Sequence, residues 1–218
     1  MLKAVIFDMD GVLINSEPLH FSVDKKVLGR FGIDVDDNFL SRYAGVANPE
    51  MYADIKKKMG LSQSIDELLE FRLKLSLEAL DESEMDAISG VRELLQDLAS
   101  HNVSIAIASS SPMEFIEAVI RKLRLEQYFR IIVSGEELER SKPAPDIFIR
   151  AASLLGVELN ECVVIEDSAA GVEAAFAAGI KCVGFLNPGS GNQDLSKADA
   201  VVDDMSKINY SFICNILG

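Results

Sequence analysis

The chain has no tryptophan, only three cysteines, two histidines and six prolines in 218 residues, and each scarcity removes a class of protein. Cys162, Cys182 and Cys214 are odd in number and lack the paired spacing of a zinc site. A disulfide framework is excluded, and buried, reduced thiols are expected. No apolar run reaches the roughly 18 residues of a membrane span. The first ten residues carry two aspartates where an export signal needs an unbroken apolar stretch. No membrane association is expected, and the expected location is the cytosol. Basic charge is short as well: 21 Lys and Arg stand against 35 Asp and Glu, a net charge of −14, and the longest basic run is Lys56-Lys57-Lys58. Such a surface repels polyanions, so nucleic acid is not an expected partner. Coiled-coil repeats and long apolar edges are absent too, which makes a monomer the expectation.

What is present is apolar content, 49% of the chain, enough for one substantial core and a smaller satellite. Ala4-Val5-Ile6-Phe7 reads as a buried strand. Residues 16–83 then change character, with helical spacing and charge in place of β-branched runs. Helices are expected at 19–31, 36–43, 49–59 and 65–80. Ser64 with Glu67 forms a capping-box signature for the last, and Gly60 ends the one before. Phe39, Leu68, Leu69 and Leu73 recur at helical spacing and read as the small core of this segment. From Ser89 onward strands (103–109, 131–134, 162–166, 182–185, 200–202) alternate with helices (91–100, 112–123, 145–155, 169–178, 207–217). That alternation predicts an α/β fold, a Rossmann-like parallel sheet with helices on both faces. The first strand is needed to complete the sheet. Residues 1–15 and 84–218 therefore form one core domain, interrupted by a helical domain at 16–83. Residues 188–192 read as a loop.

Four strand ends or junctions carry chemistry. Asp8 and Asp10, with the turn residue Gly11, follow the first strand, and α/β sheets place their sites at such tips. In Ser109-Ser110-Ser111-Pro112-Met113-Glu114, Ser111 fits a helix N-cap, Pro112 the first helical position and Glu114 the capping-box partner. Ser109 is then left at the strand tip, where its hydroxyl and the neighbouring backbone amides, Ser110 included, could hold a phosphate oxygen. Lys142 precedes Pro143, which biases its backbone toward extended conformations and fixes the lysine at a loop-to-helix junction. Glu166 and Asp167 end another strand; paired acids there suit an N-cap position or the hard oxygen ligands of Mg2+.

Asp8-Met9-Asp10-Gly11, Ser109, Ser141-Lys142-Pro143 and Ile165-Glu166-Asp167-Ser168 resemble, in order and rough spacing, the four motifs of the haloacid dehalogenase (HAD) superfamily. Together with Ser16-Glu17-Pro18-Leu19-His20 they look like its β-phosphoglucomutase and sugar-phosphate phosphatase branch, which carries a small helical cap after the first motif. The resemblance implies that Asp8 attacks phosphorus to give an aspartyl-phosphate while Asp10 acts as acid and base. It implies Mg2+ bound by Asp8, the Asp10 backbone carbonyl and Asp167, with Glu166 assisting, and phosphoryl oxygens gripped by Ser109 and Lys142. Gly11, Ser110 and His20 would lie beside the substrate. Such a cation would also reconcile the acidic chain with an anionic substrate.

The resemblance also has a limit. The loop Tyr43-Ala44-Gly45-Val46-Ala47-Asn48-Pro49 resembles the cap specificity loop of that branch. In β-phosphoglucomutases an arginine follows this Gly-Val pair and holds a second phosphate; here the position is Asn48, a poor substitute for a bidentate clamp. Arg42 and Arg72 are the cap arginines that could reach the site instead. The expectation is a Mg2+-dependent phosphatase of a small phosphorylated metabolite, with the mutase as alternative. Asp10 argues against a dehalogenase, which lacks this second aspartate, and against a phosphonatase, which places a small residue there. His101, at a helix end where a cation suits the dipole, receives no catalytic role.

Overall fold

The computed structural model of the chain describes residues 1–43 and 45–218. Six strands, β1 (Ala4–Phe7), β2 (Ser104–Ser109), β3 (Ile131–Ser134), β4 (Cys162–Glu166), β5 (Lys181–Phe185) and β6 (Ala200–Val202), form one parallel sheet in the order β3-β2-β1-β4-β5-β6. Alternate side chains go to opposite faces. Val5, Phe7, Ile107 and Ile165 join α5 (Val91–Ser100), α6 (Met113–Leu123) and α9 (Tyr210–Leu217) in one apolar layer. Ala4, Ile6, Ala106, Ala108 and Val164 join α7 (Asp146–Leu155) and α8 (Ala169–Ala178) in the other. A sheet covered on both sides explains why its strands read as unbroken apolar runs. The α/β fold and the parallel sheet are as expected.

The strand order places the site. From β1 the chain builds β2 and β3 on one side and then returns to β4 on the other, so neighbouring connections diverge between β1 and β4. A crevice opens at such a switch point, outside the carboxyl ends of the strands. Phe7 lies in register with Ile107 on β2 and Ile165 on β4. Asp8 therefore emerges one step beyond, between two covered strands.

Helices α1 (Glu17–Gly29), α2 (Asp37–Leu40), α3 (Asn48–Met59) and α4 (Ile65–Glu82) lie between β1 and α5 in the chain and share a separate apolar cluster. Val23, Val27, Leu40, Tyr52, Ile55 and Leu68 are buried in it, with Phe39 and Leu69 packed against it. Leu73 departs from expectation: it packs on the sheet's own cluster, because α4 lies against α6 as well as α1 and serves two cores.

Local signals set most helix ends. The Ser64 hydroxyl accepts from the Glu67 N–H at 3.1 Å and the Glu67 carboxylate accepts from the Ser64 N–H at 2.8 Å, the reciprocal cap expected from sequence. Gly60 closes α3 at φ 70°. The expected cap of α6 is not formed. Pro112 is the N-cap residue, with ψ 142°, and neither Ser111 nor Glu114 completes a capping box. The helix begins one residue later than read, because the Ser111 hydroxyl is drawn to a carboxylate. Segment 36–43 divides into α2 and a 3-10 turn, Ser41–Tyr43. Segment 207–217 divides as well, since Asn209 caps α9 by accepting from the Phe212 N–H at 2.9 Å. Ala44, in the expected specificity loop, lies outside the described residues. Cys162, Cys182 and Cys214 are free thiols, the first two buried. Among the described residues no helix is long and apolar enough to cross a membrane.

Candidate active site

The two aspartates after β1 receive opposite treatment. The Asp8 backbone N–H donates to the Ile165 carbonyl at 3.0 Å, extending the β1–β4 pairing to the tip of the sheet. Its carboxylate Oδ1 accepts from Lys142 Nζ at 2.6 Å. The chain then folds back in a tight turn, with the Gly11 N–H donating to the Ile14 carbonyl at 2.7 Å. Inside that turn Asp10 accepts from Ser16 Oγ at 2.5 Å and pairs with His20 Nε2 at 3.0 Å through Oδ1. Through Oδ2 it accepts from Ser111 Oγ at 2.7 Å and, at a longer 3.3 Å, from Ser109 Oγ.

Lys142 is buried, and its three donors are fully committed: Asp8 Oδ1, Glu166 Oε1 at 2.7 Å and the Ala108 carbonyl at 3.1 Å. The other Glu166 oxygen accepts from the Asp167 and Ser168 N–H groups, both at 2.8 Å, and from Ser168 Oγ at 2.9 Å. Glu166 thus ties the lysine to the first turn of α8, and Gly171 leaves it room: a Cβ there would overlap the carboxylate. Asp167 projects into the crevice, with Ser190 Oγ donating to its Oδ2. Gly11, at φ +81°, closes against Asp167, whose carboxylate occupies the space a Cβ would need. Only glycine meets both conditions.

The cavity over these groups is lined by Asp8, Asp10, Gly11, Lys142 and Asp167 from the sheet side and by His20, Asn48 and Arg72 from the helical segment. Ser110 and Ser111 also line it. Ser109, read from sequence as the phosphate-holding hydroxyl, is completely buried and absent from that lining, with its hydroxyl between Asp10 and the Ser111 N–H. Arg42 is exposed on a 3-10 turn and stacks over Phe39, away from the cavity. The helical segment touches the core rim where Ser141 Oγ donates to Glu50 Oε1 at 3.0 Å.

Charge in the crevice is unbalanced. Asp8, Glu166 and Asp167 are three carboxylates facing the single ammonium of Lys142. Burial above all, together with the Glu166 and Asp10 charges, pushes the Asp8 carboxyl up to about 8 despite Lys142. Burial also raises Asp167 well above the carboxylate range, and Glu166 and Asp8 add to it. Asp10 is half-buried, which raises its carboxyl, but the hydrogen bond and charge of His20, with the Ser16 and Ser111 hydroxyls, outweigh that penalty and hold it well below the usual range.

No three His, Cys, Asp or Glu side chains among the described residues are grouped tightly enough to chelate a metal ion. The donor chemistry nonetheless fits a hard cation supplied with water and a substrate oxygen. Asp8 Oδ2, Asp167 Oδ1 and the Asp10 backbone carbonyl have no hydrogen-bond partner among the described residues. The two carboxylates are those whose ionisation the surroundings penalise, and a cation would remove the penalty. Glu166 offers no such open oxygen, and Asp10 offers its backbone only.

Ser16, Ser111 and Ser190, which orient Asp10 and Asp167, were not read as site residues from sequence. Ser16 had only its place in the resemblance, Ser111 was assigned to a cap and Ser190 to a loop. None carries a local signal, because the acceptor of each belongs to another segment.

The chain is 33% identical over 205 residues to a phosphorylated carbohydrates phosphatase of Thermotoga maritima, covering 92% of this chain and 93% of that one. It is 30% identical to the β-phosphoglucomutase of Bacillus subtilis, over 97% and 94% of the two chains. The crystal structure of β-phosphoglucomutase from Clostridium difficile superposes with a TM-score of 0.87 at 27% identity, covering 100% of this chain and 97% of that one. The profile of the haloacid dehalogenase-like hydrolases matches residues 5–185, and the chain belongs to that family.

Proposed function

We propose that the chain is a Mg2+-dependent phosphatase that hydrolyses a small phosphorylated metabolite, a sugar phosphate, through an aspartyl-phosphate on Asp8. The observation that carries this reading is the split between the two motif aspartates. Asp8 keeps one carboxylate oxygen open to the cavity beside the Lys142 ammonium, while Asp10 is surrounded by hydroxyls and an imidazole. A carboxylate nucleophile needs no deprotonation, and its phosphoryl adduct is labile enough for water to turn it over. Lys142, held by Glu166, neutralises Asp8 and the incoming phosphoryl oxygens together. Asp8, Asp167 and the Asp10 carbonyl would hold Mg2+, which would supply the remaining positive charge needed for a phosphate to approach a carboxylate. The Ser110 amide is the backbone donor on the cavity side for a phosphoryl oxygen, while Ser109 supports the turn by accepting from the Ser111 N–H at 3.1 Å.

Asp10 would give a proton to the leaving alkoxide and take one back from the attacking water, and the His20, Ser16 and Ser111 contacts that favour its anion fit the second role. The helical segment acts as a lid over the cavity, and the Ser141–Glu50 contact is one point of closure.

The mutase reading has one support, the resemblance to β-phosphoglucomutases. Against it stands Asn48, an amide on the first turn of α3 where those enzymes place an arginine. A phosphometabolite panel with and without Mg2+, including glucose 1-phosphate plus its 1,6-bisphosphate, decides the matter. Metal-dependent release of orthophosphate is expected. Bisphosphate-stimulated formation of glucose 6-phosphate in place of orthophosphate would overturn the choice.

A further inference from the structure

The loop after β5 is built inside out. Its apolar residues face solvent, with Leu186 48% exposed and Pro188 exposed beside it, while its polar side chains turn inward. Asn187 Nδ2 donates to the Gly11 carbonyl at 2.9 Å, and Asn187 Oδ1 accepts from the Gly189 N–H at 2.8 Å. Ser190 Oγ donates to Asp167 Oδ2. Gln193 Nε2 donates to the Ser190 carbonyl at 2.9 Å, and its Oε1 accepts from the Ala169 N–H at 3.0 Å, at the start of α8. Gly189 lies so close to Asn15 that a Cβ there would overlap the Asn15 side-chain amide. Residues 187–193 add nothing to the core: none of them is buried, and the sheet cluster resumes only at Leu195. Packing therefore does not account for the way the loop is held.

What the loop holds is the two segments that meet at the proposed cation site. The Gly11 N–H donates to Ile14, so the Asn187 bond to the Gly11 carbonyl fixes that residue from both sides, and with it the peptide that presents the Asp10 carbonyl. Ser190 fixes the other wall. With Oδ2 engaged by Ser190, Asp167 has one open oxygen, and Asp8, with Oδ1 engaged by Lys142, has one as well. Coordination through both oxygens of either carboxylate would compete with the bond already made. That competition separates the hard cations. Mg2+ demands a strict octahedron and keeps several waters, whereas Ca2+ takes roughly six to eight oxygens and commonly draws both from one carboxylate. The Lys142 bond has a further use, since the ammonium also meets the phosphoryl group. The Ser190 bond has no other part in the proposed chemistry.

We infer that Ser190, seated by Asn187 and Gln193, is a positioning residue that sets the preference of this site for Mg2+ over Ca2+. It acts through Asp167, by keeping that carboxylate a one-oxygen ligand. The inference rests on the phosphatase reading above for the place of the cation, and it is tested by binding without substrate.

Calorimetry gives the dissociation constants of Mg2+ and of Ca2+ for the natural chain, Ser190→Ala, Ser190→Thr and Asn187→Leu, with hydrolysis of p-nitrophenyl phosphate in Mg2+ measured alongside. Loss of the hydroxyl in Ser190→Ala is expected to weaken Mg2+ by about tenfold, the lower end of what an outer-shell partner contributes. Ca2+ is expected to bind unchanged or more tightly, so the ratio of the two constants moves by about tenfold or more. Asn187→Leu, which alters neither carboxylate nor the serine, is expected to move the ratio the same way by less, and Ser190→Thr, which keeps the hydroxyl, to restore it. If the alanine variant does not fold, the ratio in Asn187→Leu decides. A loop that served only the fold would weaken both cations by one factor. Equal losses, an unmoved ratio, or a threonine variant no nearer the natural chain than alanine, with p-nitrophenyl phosphate still hydrolysed by the natural chain, would overturn the role of Ser190 and leave the phosphatase standing. Binding of neither cation and release of no phosphate by the natural chain would overturn both.

Discussion

Asp8 is held at an electrostatic cost, its carboxyl raised by burial and by the Glu166 and Asp10 charges, and its substitution separates chemistry from stability. Asp8→Asn removes the nucleophile while relieving repulsion from Glu166 and Asp10. Orthophosphate release should disappear, and the melting temperature in chelator at pH 8 should stay level or rise. Substantial Mg2+-dependent turnover in that variant would reject the nucleophile. Gly11→Ala is expected to do harm of a different kind, since a left-handed backbone and the Asp167 carboxylate both oppose a methyl group. A stability loss of about 1–3 kcal/mol by denaturant melts, with weaker Mg2+ binding by calorimetry, is the expected outcome. At this scale the sequence was informative where a residue acts on its own strand end. Asp8, Lys142 and Asp167 announce themselves by standing at apolar run ends or beside a proline. Ser111 does not, because the capping rule it satisfies locally loses to a carboxylate 101 residues away.

Among the elements, α4 joins two apolar clusters: it is capped by Ser64 and Glu67, buries Leu68 among the helices and packs Leu73 on the sheet cluster. Ser64→Ala should lower stability by about 1 kcal/mol, the usual worth of such a cap, read as a drop of about 2–4 °C in melting temperature. No change in melting temperature would mean that tertiary packing alone fixes the start of α4. The start of α4 was legible because both partners of the cap lie within one turn. The division of 207–217 was not, although Asn209 is a good N-cap residue; an apolar, helix-compatible run on either side of it hid the break. The limits of α6 failed for the reason given for Ser111.

Across the whole molecule, the proposed metal site would link stability to cation binding through the crevice acids. A carboxyl whose folded pKa is raised favours the folded state when protonated; that contribution is full below the unfolded value and is lost as pH rises through the folded one. For Asp8 the window runs from the ordinary 3.8 to about 8, and Asp167 shifts in the same direction. In chelator these two acids should therefore weaken the fold as pH rises across that window. Mg2+ bound at the proposed site would favour the ionised forms and should stabilise more at pH 8 than at pH 5. At about a hundredfold excess over its dissociation constant the gain is about 2.7 kcal/mol, or about 5–10 °C for a chain of this size. Equal metal-induced shifts at the two pH values would argue against these acids as ligands.

The central place of β1 has a bearing on biosynthesis. During synthesis Asp8 and Asp10 emerge well before their partners, and the ammonium that answers Asp8 follows 134 residues later. The strand that flanks Asp8 on its far side and ends in Glu166 comes later still. A nascent polypeptide that stops short of Glu166 has its foremost strand bare along one edge and its reactive acids without their companions. Translation products truncated before Glu166 should consequently be inert toward phosphoesters, so that competence arrives only once β4 has been made.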